Sequence, residues 1–420
     1  MRILCIPYSH TFSHLARPLA VALELQRRGH EVHFAGESPK LVHASAAGFM
    51  VHALCEPEPE RLFGNIRDGK LRFVATGELT RMIEADLELA GRIRPDVVLT
   101  DGRFSAGVSM QIGGYRHAAI VNVSSCEYRA LPYIPFFEWI PRKLAPEGSA
   151  LRTFTNTINL SLEMTVFDAA MPDFSRLSRK HALKKGMTAT NCLTGADLTL
   201  LADIPQYFPT RNLPPDYQYV GPLGWELPQE APSWWPPCLR PSPMVYVTMG
   251  TTGIPDFFQM LMELLEHEGM NAVITTGGQI QGLIPPSPFI HVEEFMDAER
   301  AIQASDAVIC HGGNGSIYQA LRHGRPIVGI PSIPDQKFNM RRVESLGAGL
   351  TVLPETFRRE PLRLRDALNR VLQEVAFRAS AGRLGDIVRS YNAAAVCADA
   401  IERLSGGCAR EKAAESVRMS

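Results

Sequence analysis

Short apolar runs, each closed by a turn signal and followed by a stretch of helical period, alternate along this chain. Residues 2–8 (Arg-Ile-Leu-Cys-Ile-Pro-Tyr) are such a run, the pattern of a parallel strand covered on both faces. Residues 15–28 follow with Leu15, Leu19, Ala22, Leu23 and Leu25 on or near one face, which predicts an amphipathic helix. Gly29 ends that helix and residues 31–35 form the next strand, completing a βαβ unit. Further strands are expected at residues 95–100, ending at Asp101, and at 118–123. Between residues 205 and 243 proline becomes dense, with Pro214-Pro215 and Pro236-Pro237 inside the stretch. Neither a helix nor a central strand can run through it. The pattern then resumes, with strands at 244–248, 272–275, 291–293, 306–310 and 326–330 and a closing helix at about 392–404. The whole predicts an α/β protein of two parallel-sheet domains, 1–225 and 244–390, joined by a proline-rich linker at 226–243 and followed by a helix at 391–405. Residues 406–420 are charged and rich in small residues, a composition that predicts a disordered tail.

The most informative segment is Asp306-Ala-Val-Ile-Cys-His311-Gly-Gly-Asn-Gly-Ser316-Ile-Tyr-Gln319. It reads as a buried strand, a glycine-rich turn and the start of a helix opened by Ser316, running to Gly324 and stopping before Pro326. Gly313 and Gly315 let a ligand approach the backbone closely. A helix start offers N–H donors and a positive dipole end, a ready phosphate site, here at Asn314 to Ser316. The next strand ends at Pro331-Ser-Ile-Pro334, and Asp335-Gln336 follows. An acid and an amide side by side at a strand's carboxyl end can clamp neighbouring sugar hydroxyls. A diphosphate cradle beside a hydroxyl clamp describes a sugar-nucleotide site. The first turn, Ser9-His-Thr-Phe-Ser-His14, lacks the G-x-G-x-x-G of a nicotinamide dinucleotide site.

The segment from His311 to Gly349 resembles the nucleotide-sugar signature of the family 1 glycosyltransferases, whose members use UDP-activated and related sugars. His311, Gly313, Ser316, Gln319, Pro331, Asp335, Gln336 and Asn339 match its order, with Gly315 where plant members carry Asn. The likeness runs from the first strand to the final helix near Leu404. It implies the GT-B fold, two Rossmann-like domains facing across a cleft with the C-terminal helix crossing back to the first. It assigns acceptor binding to the first domain and the nucleotide sugar to the second.

The resemblance also weighs the candidates. His14, as a bare position, reads as a capping or core histidine. The family places its general base in a Gly-His-x-x-Pro turn, aligned here with Ser13-His-Leu-Ala-Arg17, so His14 is the expected base, with His10 as rival. Ser replaces Gly and Arg17 replaces Pro in that turn. Asp101 aligns with the aspartate that supports the histidine; the alternative is an Asx turn before Gly102. His311 is expected at the α-phosphate, and Gln319 at the ribose or on a solvated face. Gly250 and Thr251 resemble a donor-side Gly-Ser/Thr turn. Phe295 is the one apolar wall offered to the base, because the family's Pro-Gln is missing from Glu294-Phe-Met-Asp-Ala298, which leaves uracil or thymine open. Tyr128, Tyr133, Phe136, Phe137 and Trp139 crowd the region of the family's acceptor loops; core packing or a membrane-surface contact near Arg142-Lys143 are the alternatives.

Composition narrows the partners. Lys+Arg number 43 against Asp+Glu 44, a net charge of −1 that gives no reason to expect nucleic acid. The 8 cysteines are scattered without zinc spacing and read as reduced, mostly buried thiols. No apolar run approaches a membrane span or a signal-peptide core, so a cytoplasmic location is expected. The expected activity is inverting, metal-independent transfer of a hexose from a UDP- or dTDP-sugar to a hydroxyl of a small apolar or aromatic acceptor, with no cofactor beyond the donor. A fully hydroxylated donor such as UDP-glucose or UDP-N-acetylglucosamine is expected before a dTDP-deoxysugar. The alternatives are a lipid-linked or cell-wall glycosyltransferase and a catalytically silent GT-B partner protein.

Overall fold

A computed structural model describes residues 1–133, 149–224, 229–250 and 253–418. The chain divides into two compact units, Met1–Trp225 with Asn392–Ser420, and Glu226–Tyr391.

The first unit is built on a seven-stranded parallel sheet in the order β3-β2-β1-β4-β5-β6-β7. Its strands are β1 (Arg2–Pro7), β2 (Glu31–Gly36), β3 (Met50–Ala53), β4 (Val97–Asp101), β5 (His117–Val121), β6 (Leu198–Leu201) and β7 (Tyr217–Tyr219). The apolar run of β1 is buried because it lies mid-sheet between two layers. Ile3 and Cys5 face one core with Leu15, Leu19, Val97 and Leu99; Leu4 and Ile6 face another with Leu89, Ile93 and Val98. Order reverses between β1 and β4, where Pro7 pairs with Asp101. Ligand crevices in open α/β sheets lie at the carboxyl ends of strands on either side of such a reversal.

The second unit has a six-stranded parallel sheet in the order β10-β9-β8-β11-β12-β13. These strands are β8 (Met244–Thr248), β9 (Asn271–Thr275), β10 (Ile290–Glu293), β11 (Ala307–Cys310), β12 (Ile327–Gly329) and β13 (Gly349–Thr351). Its reversal lies between β8 and β11, where Thr248 pairs with Cys310.

Three expectations change. The helix after β1 starts at Phe12, three residues earlier than expected, and carries Pro18 inside it. The buried face of Leu15, Leu19, Ala22 and Leu25 outweighs the one backbone bond that Pro18 removes. The described part of the proline-rich linker packs on the second unit. Trp234 donates to Glu293 at 2.6 Å and stacks on His291, and Arg240 donates to Glu266 and the Met270 carbonyl. The closing helix runs Ala393–Arg418, through the segment expected to be disordered, whose Ala, Glu, Lys and Arg are strong helix formers. Cys397, Ala398, Ala400 and Ile401 pack in the first unit's core, and Arg28 pairs with Asp399 and Glu402.

Among the described residues no helix is long and apolar enough to cross a membrane. Cys5, Cys126, Cys192, Cys310 and Cys397 are free and buried; Cys55 and Cys238 are free and exposed.

Candidate functional site

At the reversal of the first sheet, the loop after β1 and the end of β4 are laced together. The Tyr8 N–H donates to the Asp101 carbonyl at 2.7 Å. Gly102 follows with φ +79°, and a Cβ there would sit 3.0 Å from Tyr8 and 3.3 Å from the His14 ring, so this tight turn requires glycine. The early helix start puts His14 on the first turn of the Phe12–Arg27 helix, rather than in the preceding loop.

His14 Nδ1 lies 2.5 Å from Asp101 Oδ1. The Asp101 side chain is 1% exposed and that of His14 32%. A carboxylate can only accept, so this contact holds the proton on Nδ1 and leaves Nε2 as an acceptor. His10, the rival, faces Glu37 at 3.6 Å and lies tilted against Tyr8, and its carbonyl accepts from Lys40. Geometry brings His14 and Asp101 together and leaves His10 aside.

Two neighbours were not anticipated. Arg17 Nε donates to Asp101 Oδ2 at 2.7 Å and Nη2 to Oδ1 at 2.6 Å. Arg17 Nη1 donates to Asn122 Oδ1 at 2.6 Å, just beyond β5. The available signal was an arginine on the buried face of an amphipathic helix, three residues after the histidine and so on the same side.

At the reversal of the second sheet, His311 follows β11 directly and Gly250 lies just after β8. A Cβ on either Gly250 or Gly313 would run into the His311 ring, so the imidazole is wedged between two backbones. Burial pushes His311 down to about 4, so the ring is neutral at pH 7. Its Nδ1 is buried with no hydrogen-bond partner among the described residues. Thr251 lies outside the described residues, as do Phe136, Phe137, Trp139 and Arg142-Lys143. Tyr128 stacks edge-on to Tyr217, while the Tyr133 N–H donates to Glu163.

The helix expected to open at Ser316 spans Asn314–Arg322 with Gly313 at its N-cap. Its first internal bond runs from Ile317 N–H to the Gly313 carbonyl. The dipole's positive end therefore lies at Asn314, Gly315 and Ser316, beside His311. Gln319 sits further along this helix, half-buried.

Asp335 and Gln336 are not in a post-strand loop. They lie in the first turn of the Pro334–Ser345 helix, with Pro334 at its first position. Gln336 is 2% exposed, and its side-chain oxygen accepts from the N–H groups of Ser332 and Ile333, capping its own helix. Asp335 is half-buried and accepts from Asn339, whose amide also donates to the Gly312 carbonyl at 3.0 Å. Asn339 thus ties the Asp335 turn to the glycine turn after β11. Phe295 is 47% exposed, with Gly278 against its ring. The Gly277-Gly278-Gln279 loop after β9 was not foreseen. Gln279 donates to the Gly250 carbonyl, and a Cβ on Gly277 would come within 2.8 Å of that oxygen. Its signal was a glycine pair immediately after a strand.

Two parallel-sheet α/β units, each with its loops at a strand-order reversal, match the GT-B class. The chain matches the family described as Erythromycin biosynthesis protein CIII-like, C-terminal domain, over residues 269–404. It is 32% identical over 389 residues to a PGL/p-HBAD biosynthesis rhamnosyltransferase of Mycobacterium bovis (strain BCG / Pasteur 1173P2), covering 92% of this chain and 84% of that protein. In fold it is similar to the calicheamicin glycosyltransferase CalG4, with TM-score 0.70, 19% identity and coverage of 97% and 99% of the two chains. It is equally similar to the spinosyn rhamnosyltransferase SpnG complexed with thymidine diphosphate, with TM-score 0.70, 20% identity and coverage of 96% and 100%. The chain belongs to the family 1 glycosyltransferases.

The wedge around His311 is open to a direct test. Gly313→Ala should displace the ring, an overpacking cost of about 1–3 kcal/mol. Calorimetric titration with UDP and dTDP should show weakened binding of both. Unchanged affinity for both would mean that the ring's placement has no bearing on the nucleotide.

Proposed function

We propose that the chain is an inverting, metal-independent glycosyltransferase that moves a hexose from a UDP- or dTDP-sugar to a hydroxyl of a small apolar or aromatic acceptor. The observation that carries it is the pairing of His14, on the first turn of the helix after β1, with Asp101 at the carboxyl end of the adjacent strand β4, with Nε2 left as acceptor. His14 takes the acceptor hydroxyl proton on Nε2, and Asp101 stabilises the imidazolium that forms. The acceptor oxygen then bonds to the anomeric carbon as its bond to the diphosphate oxygen breaks, and the nucleoside diphosphate leaves with the electron pair. Attack opposite the leaving group inverts the anomeric centre.

In the second unit the start of the Asn314–Arg322 helix supports the developing diphosphate charge. Neutral His311 contributes one N–H toward the α-phosphate, Gly250 lines the donor side, Gln319 serves the ribose and Phe295 walls the base. Asp335 reads the sugar hydroxyls, and Gln336 holds the turn that presents it. The mycobacterial relative's activity makes a rhamnosyl donor the first to test, together with UDP-glucose. Rhamnose keeps its 3- and 4-hydroxyls, so it also suits Asp335.

The test is nucleoside diphosphate release from UDP-glucose and dTDP-rhamnose against a panel of phenols and alcohols, with mass spectrometry of products. No acceptor-dependent release from either donor would favour a catalytically silent partner protein. Because a helix start and neutral donors carry the diphosphate in this scheme, excess EDTA should leave the transfer rate unchanged. Loss of activity restored by Mg²⁺ or Mn²⁺ would overturn the metal-free scheme.

A further inference from the structure

Arg17 occupies the position where the family's turn carries proline, and it is buried, with a side chain 9% exposed. Its guanidinium grips both oxygens of Asp101 and lies 3.1 Å from His14 Nδ1. Such a two-pronged pairing fixes the carboxylate's plane as well as its place. With Nδ1–H of His14 already directed at Oδ1, the imidazole has one orientation in which both donors converge on that oxygen.

The charges around His14 can be counted element by element. Asp101 from β4 is negative and Arg17 from the same helix is positive. Tyr8, from the turn after β1, stacks edge-on at 6.4 Å; burial pushes its hydroxyl up, so it is neutral. His10 lies beyond Tyr8 and faces Glu37. Beyond β5 stands the neutral amide of Asn122, which donates in turn to Asp203 at 3.3 Å. A histidine–aspartate pair alone carries one negative charge at rest and none once the histidine is protonated. Here Arg17 already balances Asp101, so a proton arriving on His14 leaves the trio with a net positive charge. A like charge beside a titrating group disfavours its charged form.

We propose that Arg17 is a positioning residue that locks the His14–Asp101 pair and offsets the Asp101 charge beside the His14 ring. This rests on His14 being the base, and the test separates the two ideas. The full chain, labelled with ¹⁵N-histidine, is titrated by side-chain NMR, with His14→Gln identifying the His14 signals. Arg17→Met should move the His14 midpoint to higher pH by about one unit or more. Arg17→Gln keeps donors for Asp101 and should move it the same way, and it serves if the methionine variant fails to fold. Arg17→Lys keeps the charge and should leave the midpoint near wild type, while the loss of the fork lowers kcat. A midpoint unmoved in the folded neutral variants would overturn the proposal. If His14→Ala abolishes turnover while that midpoint stays fixed, only the role of Arg17 falls. If His14→Ala keeps full turnover, the base assignment falls.

Discussion

His14→Ala is expected to lower kcat by roughly 10²–10⁴, the range for loss of a general base, while the affinity for free UDP or dTDP stays near wild type. The nucleotide's contacts are assigned to the second unit, whereas His14 sits on the first helix with its Nδ1 on Asp101. His10→Ala is the control. Its ring faces Glu37, so turnover should survive its removal. Single-turnover kinetics on both variants, beside equilibrium titration with the nucleoside diphosphate, give the answer. If His10→Ala stops the reaction and His14→Ala does not, the assignment of the base is wrong.

Asp335→Ala should cut kcat/KM for a hexose donor bearing 3- and 4-hydroxyls far more than it weakens the bare nucleoside diphosphate. A carboxylate accepts from two neighbouring hydroxyls, and losing it leaves buried donors unpaired at about 1–3 kcal/mol, or roughly 5- to 140-fold. Gln336 was expected to share this work, but its side-chain oxygen caps the Pro334–Ser345 helix. Gln336→Ala should therefore lower the melting temperature as well as activity. The measurement is competition between UDP-glucose, dTDP-rhamnose and a dTDP-sugar deoxygenated at C3 and C4, with nucleotide titration of both variants. A preference for the dideoxy donor, or equal loss of nucleotide and sugar-nucleotide affinity in Asp335→Ala, would show that this turn does not read the sugar.

Much of the architecture was legible because parallel strands buried on both faces are continuous apolar runs. Residues 2–8, 244–248 and 306–310 announce themselves without reference to anything distant. Glycine turns are equally local, so the β11 turn and its helix could be placed to within two residues. Strands β3, β6, β7 and β13 escaped notice because none of these three- or four-residue segments is set off by a turn signal that the reading used.

The sequence by itself determined the class of fold, the long apolar strands of both sheets and the candidates His14, Asp101, His311 and Asp335, since periodicity, turn chemistry and motif spacing are properties of neighbouring residues. Tertiary structure decided which of them meet. Asp101 reaches His14 across 87 positions of chain and His10 does not, because β1 and β4 are adjacent at the reversal of the sheet. It also turned Arg17 from a departure in a motif into a buried partner of Asp101, and made Gln336 a helix cap. It carried Cys397 and Ile401 back into the first core. Such pairings depend on which surfaces close against each other when the apolar faces are buried, and no spacing along the chain encodes that.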